Sequence, residues 1–346
     1  MRRFHCQTCG HEVFFDNTVC VSCSSRLGYV PERVRMLSAP PGDDLWSDGN
    51  GRHYRACGNA PLVACNWLVP ADAADALCLA CRHNRVIPNL DDVEAVVRWS
   101  RLELAKRALF YSLIRWRLPM PTKHEAPEAG LAFDFLADEA LPDGTVKTHL
   151  TGHADGVITL NIAEGDDAER ERRRTEMGEP YRTLVGHFRH EIGHYYWDRL
   201  VRDGGRLAAC RAVFGDERAD YGEALRRHYA EGPPADWGDR TISAYAASHP
   251  WEDFAETFAH YLHIVDALET AHAFGVQRVA EDGTISVDAD PYQAGTLAAL
   301  IAAWVPVTVA LNAINRSMGQ PDLYPFVLSP AVEEKLGFVH DLVRGR

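Results

Sequence analysis

His190-Glu191-Ile192-Gly193-His194 offers two imidazoles four residues apart, with a carboxylate beside the first. On a helix that spacing puts both rings on one face, about 6 Å apart along the axis, within reach of a single zinc ion. Glu191 then points to where a reacting water sits and can act as general base. Two histidines need a third protein ligand if the fourth position is to stay open for water. Downstream, Trp251-Glu252-Asp253-Phe254-Ala255-Glu256-Thr257-Phe258 alternates polar and apolar residues at helical period, so Glu252 and Glu256 share a face. Glu252 is the expected third ligand, and Glu256 can orient a ligand histidine from behind. His187, His260 and His263 are rival third ligands, although histidines at such places more often cap, pair or lie at the surface.

The cysteines carry a different chemistry. Cys6-x2-Cys9 and Cys20-x2-Cys23, ten residues apart, place thiolate pairs on two knuckles that can close a tetrahedron around zinc. Gly10 suits the tight turn after the first pair; Ser24 stands where a second glycine would be more comfortable. Cys57, Cys65, Cys78 and Cys81 form a less regular second set, in a stretch with few large apolar side chains that needs a staple to fold. Four cysteines saturate zinc, so two structural ions are expected here and one catalytic ion at the histidines. Cys210 is left over and is expected to pack.

The elements that must position these residues follow from periodicity. Up to about Asn89 the chain is loop-rich. Val93, Val96, Val97, Leu102, Leu104, Leu109 and Leu113 predict a helix from near Asp91 to Trp116, closed by Pro119 and Pro121. Strands are expected at Leu131 to Leu136 and Gly156 to Ile162, then helices over Pro180 to Val201 and Pro250 to about His272, with largely helical sequence to Arg346. Thr296 to Ile314 holds no charged residue and approaches the length of a membrane span; Pro306, Asn312 and Asn315 favour two short buried helices instead. Tyr195, Tyr196 and Trp197 are assigned to packing, and Arg182 and Asp198 to surface pairs.

The chain has 346 residues, 46% hydrophobic and 25% charged, as in folded globular proteins, and its net charge of -13 opposes nucleic acid as a partner. Arginine-rich stretches at Glu169 to Arg174 and Arg98 to Arg117 read as solvated helix faces. Met1-Arg2-Arg3-Phe4-His5-Cys6 shows no apolar signal core, so a reducing, cytoplasmic setting without a membrane is expected.

These features together resemble the bacterial zinc-binding metallopeptidases that carry an N-terminal zinc ribbon. The resemblance rests on both cysteine sets, on Gly178-Glu179-Pro180-Tyr181-Arg182 leading into His190-Glu191-Ile192-Gly193-His194-Tyr195-Tyr196-Trp197, and on Pro325-Phe326-Val327-Leu328-Ser329-Pro330. It implies a metallopeptidase fold and supplies no substrate. A narrower likeness is to the anthrax lethal factor type of glutamate-ligand zincin, whose third ligand lies in a Glu-x-x-Ala-Glu-x-Phe helix, as Glu252 to Phe258 does here. In that type a tyrosine seven residues before the ligand stabilises the oxyanion, which implies that role for Tyr245.

The expected architecture is therefore α+β: a zinc ribbon over 1–30, a second cysteine-rich zinc segment over 31–90, and a zincin-like domain over 91–346 with a short sheet and a mostly helical C-terminal lobe. The expected function is zinc-dependent hydrolysis of a peptide or protein. The alternative is a noncatalytic zinc protein whose ribbons recognise a partner protein, but a purely structural site has no need of Glu191.

Overall fold

The computed structural model describes residues 1–176, 183–276 and 290–345. It divides into two compact units, residues 2–172 and residues 173–346 with Met1. In the first, strand Phe4–His5 pairs antiparallel with Glu12–Val13, and the turn between them carries Cys6 and Cys9. Gly10 closes this turn at φ 76°, its N–H donating to the Cys6 carbonyl at 2.8 Å. Ser24 repeats the arrangement after Cys20 at φ 59°, so a serine bears the left-handed conformation that glycine would adopt without strain. A hairpin of Arg26–Val30 and Arg35–Ala39 and a three-stranded antiparallel sheet of Leu45–Ser47, His53–Ala56 and Leu68–Pro70 share a small core of Val30, Leu37, Ala39, Trp46, Tyr54 and Leu68.

The helix Val93–Trp116 begins where the Asp92 carboxylate accepts from the Ala95 N–H at 3.0 Å and ends at Arg117, φ 55°. Its apolar stripe buries Trp99, Leu102, Leu109, Phe110 and Leu113. Ring contacts of Phe110 with Phe133 and Trp99 with Phe135, at 6.0 and 6.3 Å, seat it on a four-stranded sheet. The strand order is Gly152–Ala154, Val157–Asn161, Ala132–Leu136, Asn84–Val86, parallel except for the first pair. The stretch Arg98 to Arg117 corrects one expectation, for it is not a wholly solvated face. Lys106 and Glu103 are fully buried and bonded to each other at 2.7 Å, and Arg107 is 3% exposed. Burial of Lys106 is tolerated because Asn84 and Glu103 accept from its ammonium, which also lies 5.4 Å from the rings of Phe133 and Phe135.

The second unit is helical. Thr183 caps the helix Leu184–Tyr196, which runs on through a π-helical turn over Trp197–Arg202. The motif from Gly178 to Arg182, and with it the expected start at Pro180, lies outside the described residues. His249 caps a second long helix, Pro250–Ala273. The two helices cross at Gly193, where a Cβ would stand 2.9 Å from the Ala255 Cα, so glycine sets how closely they approach. Helices Leu207–Phe214, Tyr221–Glu231, Trp237–Arg240, Leu297–Ser317 and Pro330–Val343 surround this pair. Thr296 to Ile314 corrects a second expectation. It forms one helix through Pro306 rather than two, and only Leu300, Trp304 and Val307 are buried in it. The stripe of i, i+4 and i+7 satisfies the core, which leaves Val305, Val309 and Ile314 exposed. Among the described residues this is the one helix long and apolar enough to cross a membrane.

Candidate metal centres and active site

The helix crossing brings His190 and His194 from one element against Glu252 from the other. His190 Nε2 lies 3.2 Å from His194 Nε2 and 3.0 Å from Glu252 Oε2, and His194 Nε2 lies 3.6 Å from that oxygen. Zinc bonds of about 2.0–2.1 Å in a tetrahedron put ligand atoms roughly 3.3 Å apart, so this triangle fits the ion. Glu252 Oε2 is buried and receives no hydrogen bond, as a metal-facing oxygen should be. Burial disfavours a proton on His190, yet Glu252 and Glu256 together raise its pKa well above the ordinary value. A cluster that draws a proton so strongly has the charge to hold a cation in its place.

Partners behind this triangle fix it. Glu256 Oε1 accepts from His190 Nδ1 at 2.7 Å, and Ser243 Oγ donates to its other oxygen at 2.6 Å. Against the effect of burial, the His190 contact holds the Glu256 pKa down to about 2. The Tyr221 hydroxyl donates to Glu252 Oε1 at 2.8 Å, and the Trp251 ring lies 3.8 Å from that of His194. Glu191 is buried, with Oε1 3.5 Å from His187 Nε2 and Oε2 without a hydrogen bond. Burial would raise its pKa, but His187, His190 and His194 bring it below the ordinary value. It is therefore ionised and has an oxygen to spare.

Both cysteine sets close. Cys6 and Cys23, Cys9 and Cys20, and Cys65 and Cys78 each bring their sulfurs to 3.7 Å, with Cys81 to Cys65 at 3.8 Å. Zinc–sulfur bonds of about 2.3 Å predict roughly 3.8 Å between sulfurs, whereas a disulfide needs about 2.05 Å. All nine cysteines are free, and Cys210 is buried in packing with its thiol pushed up to about 12 by that burial.

Residues 95–342 match a family described as "putative zinc-binding metallo-peptidase". The chain belongs to this family. Ahead of that match, residues 3–92 match a zinc-ribbon domain, so zinc binding is supported both by the two families and by the clusters themselves. Uncharacterized proteins of Mycobacterium bovis and Mycobacterium tuberculosis are each 43% identical to this family member over 344 residues, covering 99% of this chain and 95% of theirs. No solved structure matches.

The rival ligands of this zinc-binding metallopeptidase family member lie elsewhere. His187 faces Glu191; His260 Nδ1 bonds the Tyr324 hydroxyl at 2.7 Å; His263 bonds Arg189, which pairs with Asp266. Phe326, in the Pro325 to Pro330 motif, packs on His260 at 4.3 Å, and Ser329 caps the last helix. Tyr245 is brought to the site, its ring 5.8 Å from that of His190. Burial, then Glu252, raises its pKa, so it remains a phenol. Tyr195, Tyr196 and Trp197 are buried, and Asp198 pairs with Arg202 at 2.6 Å; Arg182 is outside the described residues. Sequence reasoning missed Ser243 and Tyr221. The one local signal was Asp220, a helix cap just before Tyr221, which marks the helix but not its distant partner.

Proposed function

We propose that the chain is a zinc-dependent peptidase, with His190, His194 and Glu252 as ligands of the catalytic ion. The observation that carries this reading is the unbonded Glu252 Oε2 standing 3.0 and 3.6 Å from two imidazole nitrogens. Bound zinc supplies Lewis acidity, polarising a carbonyl and making water acidic enough to react near neutral pH. Glu191, ionised, takes the proton of the attacking water and returns it to the leaving amine. Glu256, itself held by Ser243, keeps the His190 ring from swinging. Tyr221 engages one oxygen of Glu252 and so turns the other toward the imidazoles. Tyr245 donates its hydroxyl to the oxyanion as charge develops.

In this reading the domain is a zincin, the two cysteine sites are structural, and the substrate is a peptide or protein met in the cytoplasm. The test is incubation of the purified, zinc-loaded protein with a diverse peptide library, read by mass spectrometry. New termini that disappear when a chelator is added support the proposal. Their absence, or cleavage indifferent to chelation, removes it.

A further inference from the structure

We propose that Arg107 is the counter-charge of the second cysteine centre, balancing from inside the core the negative charge that four metal-bound thiolates carry. The observation is a guanidinium that otherwise makes no sense where it is. Arg107 is 3% exposed, and its Nε and Nη1 are buried without a hydrogen-bond partner. A buried charge left unpaired is among the most destabilising features a core can hold, so a compensating anion is required nearby. The carboxylate closest along the helix does not supply it, because Glu103 is committed to Lys106 at 2.7 Å and to the Asn84 amide at 2.9 Å.

The helix face identifies the anion. Glu103, one turn before Arg107, has its Oε2 3.7 Å from Cys81 Sγ, and residues four apart share a face. The same helix packs on the short helix Ala60–Val63, which lies between Cys57 and Cys65. Across this packing the charge of Arg107 acts on Cys65. Zinc with four thiolates has a formal charge of about -2, and the Glu103–Lys106 pair is neutral within itself. Arg107 is thus the positive charge left over to offset the centre. This inference does not depend on what the histidine site catalyses.

The test uses the full-length, zinc-loaded protein and the variants Arg107→Met, Arg107→Gln and Arg107→Lys. Each is titrated with a chromophoric zinc chelator, and cysteine alkylation mapped by mass spectrometry assigns every lost ion to a site. The Met and Gln variants should yield the ion of Cys57, Cys65, Cys78 and Cys81 at roughly ten- to a hundredfold lower chelator concentration. The Cys6, Cys9, Cys20 and Cys23 ion should be unmoved, and Lys should restore most of the loss. If the Met variant does not fold, Gln is read in its place; failure of both with a folded, loaded Lys variant also supports the charge. Retention of the ion at wild-type strength by Met or Gln overturns the proposal. So does a Lys variant that loses the ion as readily as they do, which would make the requirement one of shape.

Discussion

Tyr221→Phe removes one hydroxyl and one hydrogen bond, the 2.8 Å contact to Glu252 Oε1, while keeping the ring that packs on His249 and Trp251. A hydrogen bond to a charged group contributes about 1.5–3 kcal/mol, which converts to roughly ten- to a hundredfold in zinc affinity. Tyr221 is 38% exposed, so water can partly replace the lost donor and the effect should fall at the low end, about tenfold. The assay is competition for zinc against a chelator of known affinity, with the number of ions remaining counted by elemental analysis. One ion should be lost early and two retained as in the wild type. An unchanged titration would refute the idea that Tyr221 holds Glu252 in place. Equal weakening at the cysteine sites would show general destabilisation instead.

Three further outcomes follow from the same geometry. Glu252→Ala should deplete only the ion at His190 and His194 by elemental analysis, whereas His260→Ala and His263→Ala, whose imidazoles bond Tyr324 and Arg189, should keep all three. Tyr245→Phe should lower turnover with zinc content unchanged if, as proposed, its hydroxyl serves the oxyanion; wild-type turnover would remove that role. Burial holds the His260 pKa at about 4, below the ordinary 6.5. The unfolded chain therefore takes up a proton between those values that the folded chain refuses. The stability from neutral His260 is present above about pH 6.5 and lost as pH falls toward 4, about 3 kcal/mol at most. In urea unfolding at about pH 7 and about pH 4.5, His260→Gln should lose less stability than the wild type.

What the sequence made legible is whatever short-range spacing determines. His190 with His194 and Glu252 with Glu256 are each four residues apart, so the helix itself guarantees that they share a face, and the cysteine knuckles are equally local. The limits of the helix near Asp91 and at Trp116 were readable from apolar periodicity and the prolines beyond it, and the structure has Val93–Trp116. Contacts across many residues were not: Tyr221 meets Glu252, and Ser243 meets Glu256, only because separate elements converge. Charge and hydrophobicity misled where tertiary partners overrode composition. Lys106 went inside because Asn84 and Glu103 accept from its ammonium, and the helix Leu297–Ser317, uncharged as far as Asn315, stayed largely outside because three side chains already met the core. Pro306 did not split that helix, since one missing N–H and a local clash cost about 3 kcal/mol, which the remaining turns can absorb.

In the proposed reaction Glu191 acts as base beside a metal it does not hold. Glu191→Gln preserves the shape of the side chain and removes its ability to take a proton. Zinc content and peptide hydrolysis, measured on the same preparation, should therefore separate: all three ions retained, and hydrolysis lower by roughly a hundredfold or more. Hydrolysis at the wild-type rate with zinc retained, or loss of the histidine-site ion together with activity, would contradict it.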